Sequence, residues 1–238
     1  MLELNDRELG RIMVITNRRA KNIIARRKED HIRLTVPTNF NPRRIPSLLQ
    51  ELRPRLLRIK PPAPVVFHEE DVISSLTFEA RLVRDHYLKN IRLTLKEGEL
   101  RIFVPEKMDL SRDEGQQAIR DAINGALRLE ARRVLPAKTA FFARQHGITY
   151  RSVKIGSSRG RWGSCSTHRD INFSLFLMLL PERLIDYVVL HELAHTVEMN
   201  HRPRFWQLLE KMCGCDTEKL RRETKKFESD AYRFLAQK

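Results

Sequence analysis

The sequence predicts an α+β fold in which N-terminal β-hairpin modules precede a helical C-terminal part. Two observations predict it. Residues 11–16 and 32–36 are rich in β-branched side chains, and the second segment alternates apolar and polar residues as half-buried strands do. Further along, apolar residues recur at helical spacing, and one such helix carries His-Glu-x-x-His at 191–195. The predicted domains are residues 1–64 (a basic β-hairpin and helix unit), 65–110 (a second β-hairpin unit) and 111–238 (the domain built around the histidine-bearing helix).

The first unit is predicted to contain two strands followed by a helix. The strands are residues 11–16 and 32–36, and Pro37 ends the second. Asn41 and Pro42 predict a helix start, because Asn caps the first turn and Pro suits the first helical position. This helix should end near Arg58. The stretch that follows, Pro61-Pro62-Ala63-Pro64, predicts a stiff linker.

A second prediction comes from an internal repeat. Residues 21–37 recur at 89–105 with a constant offset of 68, and Lys, Asn, Ile, Lys, Glu, Arg, Val and Pro occupy the same places in both copies. Each copy is followed by a short polar stretch and a predicted helix. This pattern predicts that the chain contains a duplicated β-hairpin-plus-helix unit.

Helices and short strands alternate after the second hairpin. Ser111 and Glu114 have the spacing of a capping box, which predicts a helix running to about Val134. Pro136 is expected to kink or restart it, and Gly147 to stop it. We further expect, in chain order, a strand at 153–155, a loop at 157–166, a strand at 171–176, and helices opened by Pro181, Pro203 and Asp216. The strand at 171–176 is expected to line a cleft and to offer an edge with which an extended substrate can pair.

The segment at 191–195 has the spacing of a metal site. Residues four apart in an α-helix lie almost above one another, so His191 and His195 can face one ion together. Imidazole is a good ligand for Zn²⁺, and a bound Zn²⁺ lowers the pKa of water. Glu192, one step round the helix, is then placed to act as a general base. The sequence therefore predicts one zinc ion per chain.

His201 is the expected third ligand. On an unbroken helix it would point away from the metal, so the helix must stop first, and Asn200 is the expected left-handed stop residue. Glu198 and Glu210 are the alternatives if His201 is not a ligand. Arg161 is interpreted either as an oxyanion-stabilising cation or as part of a salt bridge.

The C-terminal part resembles the YgjP-like zinc metallopeptidases, distant relatives of the SprT and WLM-type proteases. The motifs that carry the resemblance are 161–166 (RWGSCS), 171–173 (INF), 179–181 (LLP), 186–195 (DYVVLHELAH), 200–201 (NH) and 205–206 (FW). The resemblance implies a zincin-like catalytic domain in which His191, His195 and His201 bind zinc and Glu192 is the general base. The family often has a Ser before the Pro that follows the third His. In this sequence that Pro is Pro203, and Arg202 stands in the place of the Ser.

The resemblance also implies a single β module before the peptidase part. The first copy of the repeated β-hairpin unit would then be an addition to the usual architecture of the family. The SprT and WLM relatives act on proteins attached to DNA, and by analogy this chain is expected to act on nucleic-acid-associated proteins.

The charge distribution supports a nucleic-acid partner. The formal net charge is +15, and residues 11–60 hold fourteen basic residues against three acidic ones. Such a segment favours contact with polyanions. Two functions therefore remain open: a zinc metallopeptidase acting on a protein or peptide substrate, and a nucleic-acid-binding protein whose zinc is only structural.

The composition predicts a cytoplasmic protein. It has no apolar run long enough to span a membrane, no signal-peptide pattern at its beginning, and three cysteines, too few and too unevenly placed for a disulfide framework. Cys165 is expected to be a buried thiol, and Trp162 to pack within its own loop. The sequence does not determine the oligomeric state.

Overall fold

The computed structural model describes residues 2–18, 20, 22–27, 31–58, 66–158 and 160–235, with side chains up to residue 227. These residues form two compact units, Met1–Pro64 and Val65–Leu235. N-terminal strands precede a largely helical region, which confirms the α+β prediction. The predicted linker at 61–64 lies outside the described residues. None of the described helices is long and apolar enough to cross a membrane.

The first unit is a four-stranded sheet followed by a helix. Its elements are β1 (Leu2–Asp6), β2 (Gly10–Thr16), β3 (Ile24–Arg27), β4 (Ile32–Val36), a 3-10 turn (Pro42–Arg44) and α1 (Ile45–Arg58). The Asn41 side chain accepts from the Arg43 N–H and Pro42 opens the turn, as predicted. One face of the sheet and α1 share a core made of Leu9, Ile12, Val14, Ile32, Leu34, Val36, Ile45, Leu49 and Leu56.

The two predicted strands of this unit do not pair with each other as a hairpin. The strand order is β1-β2-β4-β3, and β2 lies parallel to β4. The hairpin partner of β4 is β3, which the sequence analysis missed together with β1. Both missed strands are short and half exposed, and β3 ends in Arg26 and Arg27, so neither has the apolar pattern that identifies a strand.

The second unit begins with a sheet of the same design. Its strands are β5 (Val72–Ser74), β6 (Glu79–Asp85), β7 (Arg92–Lys96) and β8 (Glu99–Pro105), in the order β5-β6-β8-β7. The offset of 68 extends to the strand register: Ile12 faces Ile32 in one sheet and Ala80 faces Leu100 in the other. The following helices also begin 68 residues apart, at Ile45 and Asp113. The topology therefore supports the duplication and extends it to four strands and a helix.

The rest of the second unit is mainly helical. It contains α2 (Asp113–Gln145), β9 (Ser152–Gly156), β10 (Gly163–Cys165), β11 (Asp170–Ser174), a 3-10 helix (Leu175–Leu179), α3 (Glu182–Ala194), α4 (Pro203–Cys213) and α5 (Thr217–Leu235). Apolar residues from the second sheet and from α2, α3 and α4 form one contiguous core. The predicted domain boundary at residue 110 stays a prediction, with apolar residues from both sides of it in this core.

Helix α2 differs from the prediction at two points. It runs through Pro136 without interruption to Gln145, and Gly147 then adopts a positive φ of 65°, as expected of a stop residue. The prediction of a capping box at Ser111 and Glu114 is wrong. Arg112, and not Ser111, occupies the N-cap, and it makes no side-chain cap hydrogen bond, while the Ser111 hydroxyl donates to Asp109 at 2.6 Å.

A small sheet in the order β10-β11-β9 lies beside α3. The predicted loop at 157–166 thus contains a strand, β10. The strand before the metal helix, β11, is the central one and is paired on both sides. The expectation that β11 offers a free edge along the cleft is therefore wrong, because β10 occupies the edge position.

Candidate metal centre

Helix α3 carries the first two histidines and is buried on nearly every side. It begins after Pro181 and packs against α2, where Lys138 Nζ donates to Glu182 at 2.6 Å and to Asp186 at 2.8 Å. Every residue from Tyr187 to Leu190 is buried. A helix held in this way presents His191 and Glu192 from a rigid support, which a catalytic or metal site requires.

The helix ends earlier than predicted. Ala194 is its last residue and His195 is the C-cap in ordinary right-handed geometry. The N–H groups of Thr196, Val197 and Glu198 then bond back to the carbonyls of Leu193 and Ala194 in tight turns. Asn200 does not have a positive φ, so the prediction of a left-handed stop there is wrong. The helix had already ended without needing such a residue.

The turns after α3 bring the third histidine back to the first two. His201 Nε2 lies 3.1 Å from Nε2 of His195 and 3.1 Å from Nε2 of His191. Among the described His, Cys, Asp and Glu side chains, these three form the group whose ligand atoms all lie within 4.8 Å of one another. Neither Glu198 nor Glu210 belongs to this group.

The three imidazoles suit a cation. His195 Nδ1 lies 3.1 Å from the Glu198 carbonyl, which can accept an N–H from this nitrogen and so leave Nε2 as a lone-pair donor. Burial lowers the pKa of all three rings, to about 3 for His191, which keeps them neutral. When all three Nε2 atoms carry lone pairs, a cation between them relieves the repulsion that they would otherwise have at this distance.

Phe205 supports this cluster, and the sequence analysis missed its role. It is fully buried in the first turn of α4, and its ring centroid lies 4.9, 4.5 and 4.7 Å from those of His191, His195 and His201. Trp206 stacks on His201 at 5.6 Å. The signal in the sequence was Pro203, which fixes where α4 begins and hence places these rings against the histidines.

Glu192 is a buried carboxyl with an unsatisfied oxygen. It is 6% exposed, and its Oε2 has no hydrogen-bond partner among the described residues. Burial raises its pKa to about 8, and the positive charge of Arg161 opposes that rise. A cation at the histidines would lower this pKa further toward neutrality, since opposite charges stabilise the carboxylate. Glu192 can thus gain and lose a proton near neutral pH.

Gly163 of β10 lies directly against this carboxyl. A Cβ atom at this position would stand 2.7 Å from both Cγ and Oε1 of Glu192, closer than real atoms approach. The Gly in the RWGSCS segment therefore gives space for the Glu192 side chain. The sequence pattern alone does not distinguish this Gly from its neighbours in the RWGSCS motif, because the contact with Glu192 joins residues far apart in the chain.

The other noted residues lie around the same cleft. Arg161, Trp162 and Gly163 line it together with His191 and Glu192. Trp162 is only 9% exposed, which agrees with the expected packing role. Cys165 is half-buried, and burial together with the nearby Glu192 carboxylate raises its pKa to about 11, so this thiol is unreactive at neutral pH.

Comparison with known proteins identifies the family. The YgjP-like, metallopeptidase domain model matches residues 21–227, most of the chain. A solved structure, the metallopeptidase zymogen of Pyrococcus abyssi abylysin, is 21% identical and covers 39% of this chain and 94% of its own, with a TM-score of 0.35. This similarity is too weak to support a conclusion about fold or function. A search of curated proteins finds no match.

The matched range begins inside the first unit and includes its hairpin and helix. The expectation that this unit is an addition to the family is therefore wrong from residue 21 onward. The range also includes the three clustered histidines and the buried Glu192. The chain belongs to the YgjP-like metallopeptidase family.

Proposed function

We propose that this metallopeptidase is zinc-dependent, that His191, His195 and His201 hold one Zn²⁺, and that Glu192 is its general base. The observation that carries the proposal is the convergence of three imidazole Nε2 atoms beside a buried carboxyl with an unpartnered oxygen. Three neutral nitrogen ligands with an adjoining open cleft are typical of a catalytic zinc, whereas structural sites are closed by a fourth protein ligand.

The chemistry divides between the ion and the chain. When bound, the zinc ion acts as a Lewis acid that lowers the pKa of water and polarises a carbonyl group. Glu192 accepts the proton from the attacking water through its unpartnered oxygen. The same residue then donates that proton to the leaving amine nitrogen as the C–N bond breaks. His195 keeps its orientation through the Glu198 carbonyl, and Phe205 holds the three rings in place.

Strand β10 offers the substrate a place to bind. It pairs with β11 on one side, and no described strand pairs with its other edge. An extended peptide can add to such an edge through main-chain hydrogen bonds. Because Gly163 of this strand lies against Glu192, a peptide bound along β10 would pass close to the general base.

The decisive experiment separates metal binding from catalysis. Glu192→Gln should retain zinc and lose at least about 10²-fold in hydrolysis, because it keeps the shape of the side chain and removes the base. His201→Ala should lose zinc. Metal content measured by mass spectrometry and cleavage of a mixed protein panel, with and without single-stranded DNA, report both properties.

Glu210→Gln is the matched control, since Glu210 is exposed on α4 outside the histidine cluster. Loss of zinc in Glu210→Gln would show that the ligand set is wrong. Full hydrolysis by Glu192→Gln would show that Glu192 is not the general base, and a wild type that holds zinc but hydrolyses nothing would favour the alternative, a structural zinc in a nucleic-acid-binding protein.

We also propose that the first unit binds nucleic acid, so that the peptidase acts on nucleic-acid-associated proteins. On the sheet face opposite the core, Arg26 of β3 stands directly across from Arg33 of β4. Like charges in facing positions destabilise a sheet. Both side chains are exposed, and neither has an ion pair among the described residues. A bound phosphate backbone would offset this repulsion.

The state of the cysteines is relevant to the cellular compartment of the protein. Cys165, Cys213 and Cys215 are all free thiols, which suits a reducing compartment. This observation supports the proposed cytoplasmic location.

A further inference from the structure

The cleft beside His191 and Glu192 is a pocket of about 280 Å³. Three parts of the chain line it: residues 161–163 at the start of β10, helix α3 and helix α5. The residues that line it are Arg161, Trp162, Gly163, Tyr187, Val188, His191, Glu192, Arg221, Thr224 and Lys225. Because His191 and Glu192 belong to this set, a peptide whose carbonyl is attacked there can place a neighbouring side chain in the pocket.

The lining has an excess of positive charge. Three of its residues are cations, Arg161, Arg221 and Lys225, and its one acidic residue is Glu192, which is buried and committed to the reaction. The cations come from different parts of the chain, one preceding β10 and two on α5. Their convergence on one pocket is therefore a property of the tertiary structure and not of a local basic run.

Two of these cations are not hydrogen-bonded to protein groups among the described residues. Arg161 and Lys225 are exposed and make no hydrogen bond or ion pair there. Arg221 is held in place, because it donates to Glu218 at 3.0 Å and lies over the Trp206 ring at 5.4 Å. The pocket thus presents one oriented guanidinium and two cations that are available to a ligand.

The apolar part of the pocket lining strengthens any charge interaction made beside it. Trp162, Tyr187 and Val188 are buried and provide a low-dielectric surface there. Charges beside such a surface interact more strongly than charges in open water. A carboxylate in the pocket would gain from all three cations, an amide would gain little, and an ammonium or guanidinium group would be repelled.

We propose that this pocket selects substrates that carry a carboxylate next to the scissile peptide bond, with Arg161, Arg221 and Lys225 as the residues that determine this specificity. The inference rests on the proposed peptidase function and adds its substrate class. The carboxylate can come from an Asp or Glu side chain or from the free C-terminus of a peptide, and the two sources share the same recognition chemistry.

The test uses fluorescein-labelled peptides that differ only at the residue beside the cleaved bond. With wild-type protein, kcat/KM should be about tenfold higher for Glu than for Gln, and lower still for Lys. A peptide pair with a free or amidated C-terminus near the bond distinguishes the two sources. A higher rate for the free form alone assigns the pocket to the C-terminus, and a preference for internal Glu assigns it to side chains.

Charge reversal provides the sharper test. Lys225→Glu should remove the preference for Glu and improve cleavage of the Lys peptide, with the change mainly in KM. Lys219→Glu is the matched control, because Lys219 is exposed on the same helix but does not line the pocket. Equal effects of the two substitutions, or equal rates for Glu, Gln and Lys peptides with wild type, would overturn the inference.

Peptide binding to the Glu192→Gln variant, followed by fluorescence anisotropy, keeps the two proposals distinguishable. Tighter binding of the Glu peptide than of the Lys peptide supports the pocket assignment even if the wild type fails to hydrolyse any peptide, an outcome that would overturn the proposed catalysis alone. Binding that ignores the charge of the peptide overturns the pocket assignment, whatever the activity.

Discussion

In the first sheet, the buried faces of β2 and β4 pack in a core with α1, a helix of 14 residues. In the second sheet, the equivalent faces of β6 and β8 belong to the core that contains α2, a helix of 33 residues, and α3, which carries His191. Strand order is the same in both, and β3 pairs with β4 in the register in which β7 pairs with β8, since Ile24 faces Thr35 and Arg92 faces Phe103.

The difference shows that one strand arrangement can serve two purposes. Where the following helix is short, the sheet and helix enclose a small core of their own. Where the helix continues, its extra turns support the peptidase helices, and the sheet becomes one wall of a larger core. The exposed faces differ as well: Arg81 and Arg101 pair with Glu79 and Glu99, whereas Arg26 and Arg33 face each other unpaired among the described residues.

The largest expected effect comes from deleting equivalent core side chains. Leu34 and Ile102 are 68 residues apart, and both are fully buried. Leu34→Ala and Ile102→Ala should each lower the free energy of unfolding of their own unit by about 2–5 kcal/mol, because each leaves a cavity. Hydrogen exchange measured segment by segment on the whole 238-residue chain should show a loss of amide protection. The loss should fall in residues 2–58 for Leu34→Ala and in residues 66–235 for Ile102→Ala.

Peptidase activity gives the second readout for this pair. Only Ile102→Ala should reduce the temperature at which activity is lost, because only its core includes α3. Equal loss of protection in both units after either substitution would contradict the separation into two cores.

An intermediate effect is expected from the exposed arginines. The double substitution Arg26→Ala and Arg33→Ala should weaken binding to single-stranded DNA by about tenfold at low salt and reduce the slope of log affinity against log salt by about 1–2, since each phosphate contact contributes about 0.7 on a single strand. Arg81→Ala with Arg101→Ala is the matched control, because those side chains already have carboxylate partners. Fluorescence anisotropy across a salt series measures both. A larger loss in the control would place the binding surface on the second sheet.

The smallest effect concerns acid stability. The Arg101 guanidinium bonded to Glu99 holds the pKa of that carboxyl below its ordinary value of 4.5. A depressed folded-state pKa stabilises the fold above the unfolded pKa, and this contribution disappears as the pH falls through the folded value. The first sheet has His31 at the position equivalent to Glu99, so it lacks this carboxylate.

Glu99→Gln should therefore lower the melting temperature of the second unit slightly at pH 6, and the difference from wild type should vanish as the pH falls through the lowered folded-state pKa of Glu99. Thermal unfolding at several pH values measures it. A difference that stays constant across this range would mean that Glu99 acts through packing and not through its charge.

Much of the site was predictable because it depends on local rules. The spacing of His191 and His195, the helix that bears them, and the starts of α3 and α4 after Pro181 and Pro203 all follow from helix periodicity and from the fixed φ of proline. The position of His201 was predicted, yet for the wrong reason. The helix ends at Ala194 through tight turns, and not at Asn200.

The sequence by itself determined the α+β class, the repeat at an offset of 68, the pair of histidines on one helix face and the excess of basic residues. Only the tertiary structure decided that β2 lies parallel to β4 and that β10 rather than β11 is the edge strand. It also decided that Phe205 contacts all three imidazoles and that Gly163 makes room for Glu192. Finally, it decided that α5 brings Arg221 and Lys225 to the pocket. The physical reason is the range of the forces: capping, periodicity and proline geometry act within a few residues, whereas strand neighbours and packing partners are chosen by contacts between residues far apart in the chain.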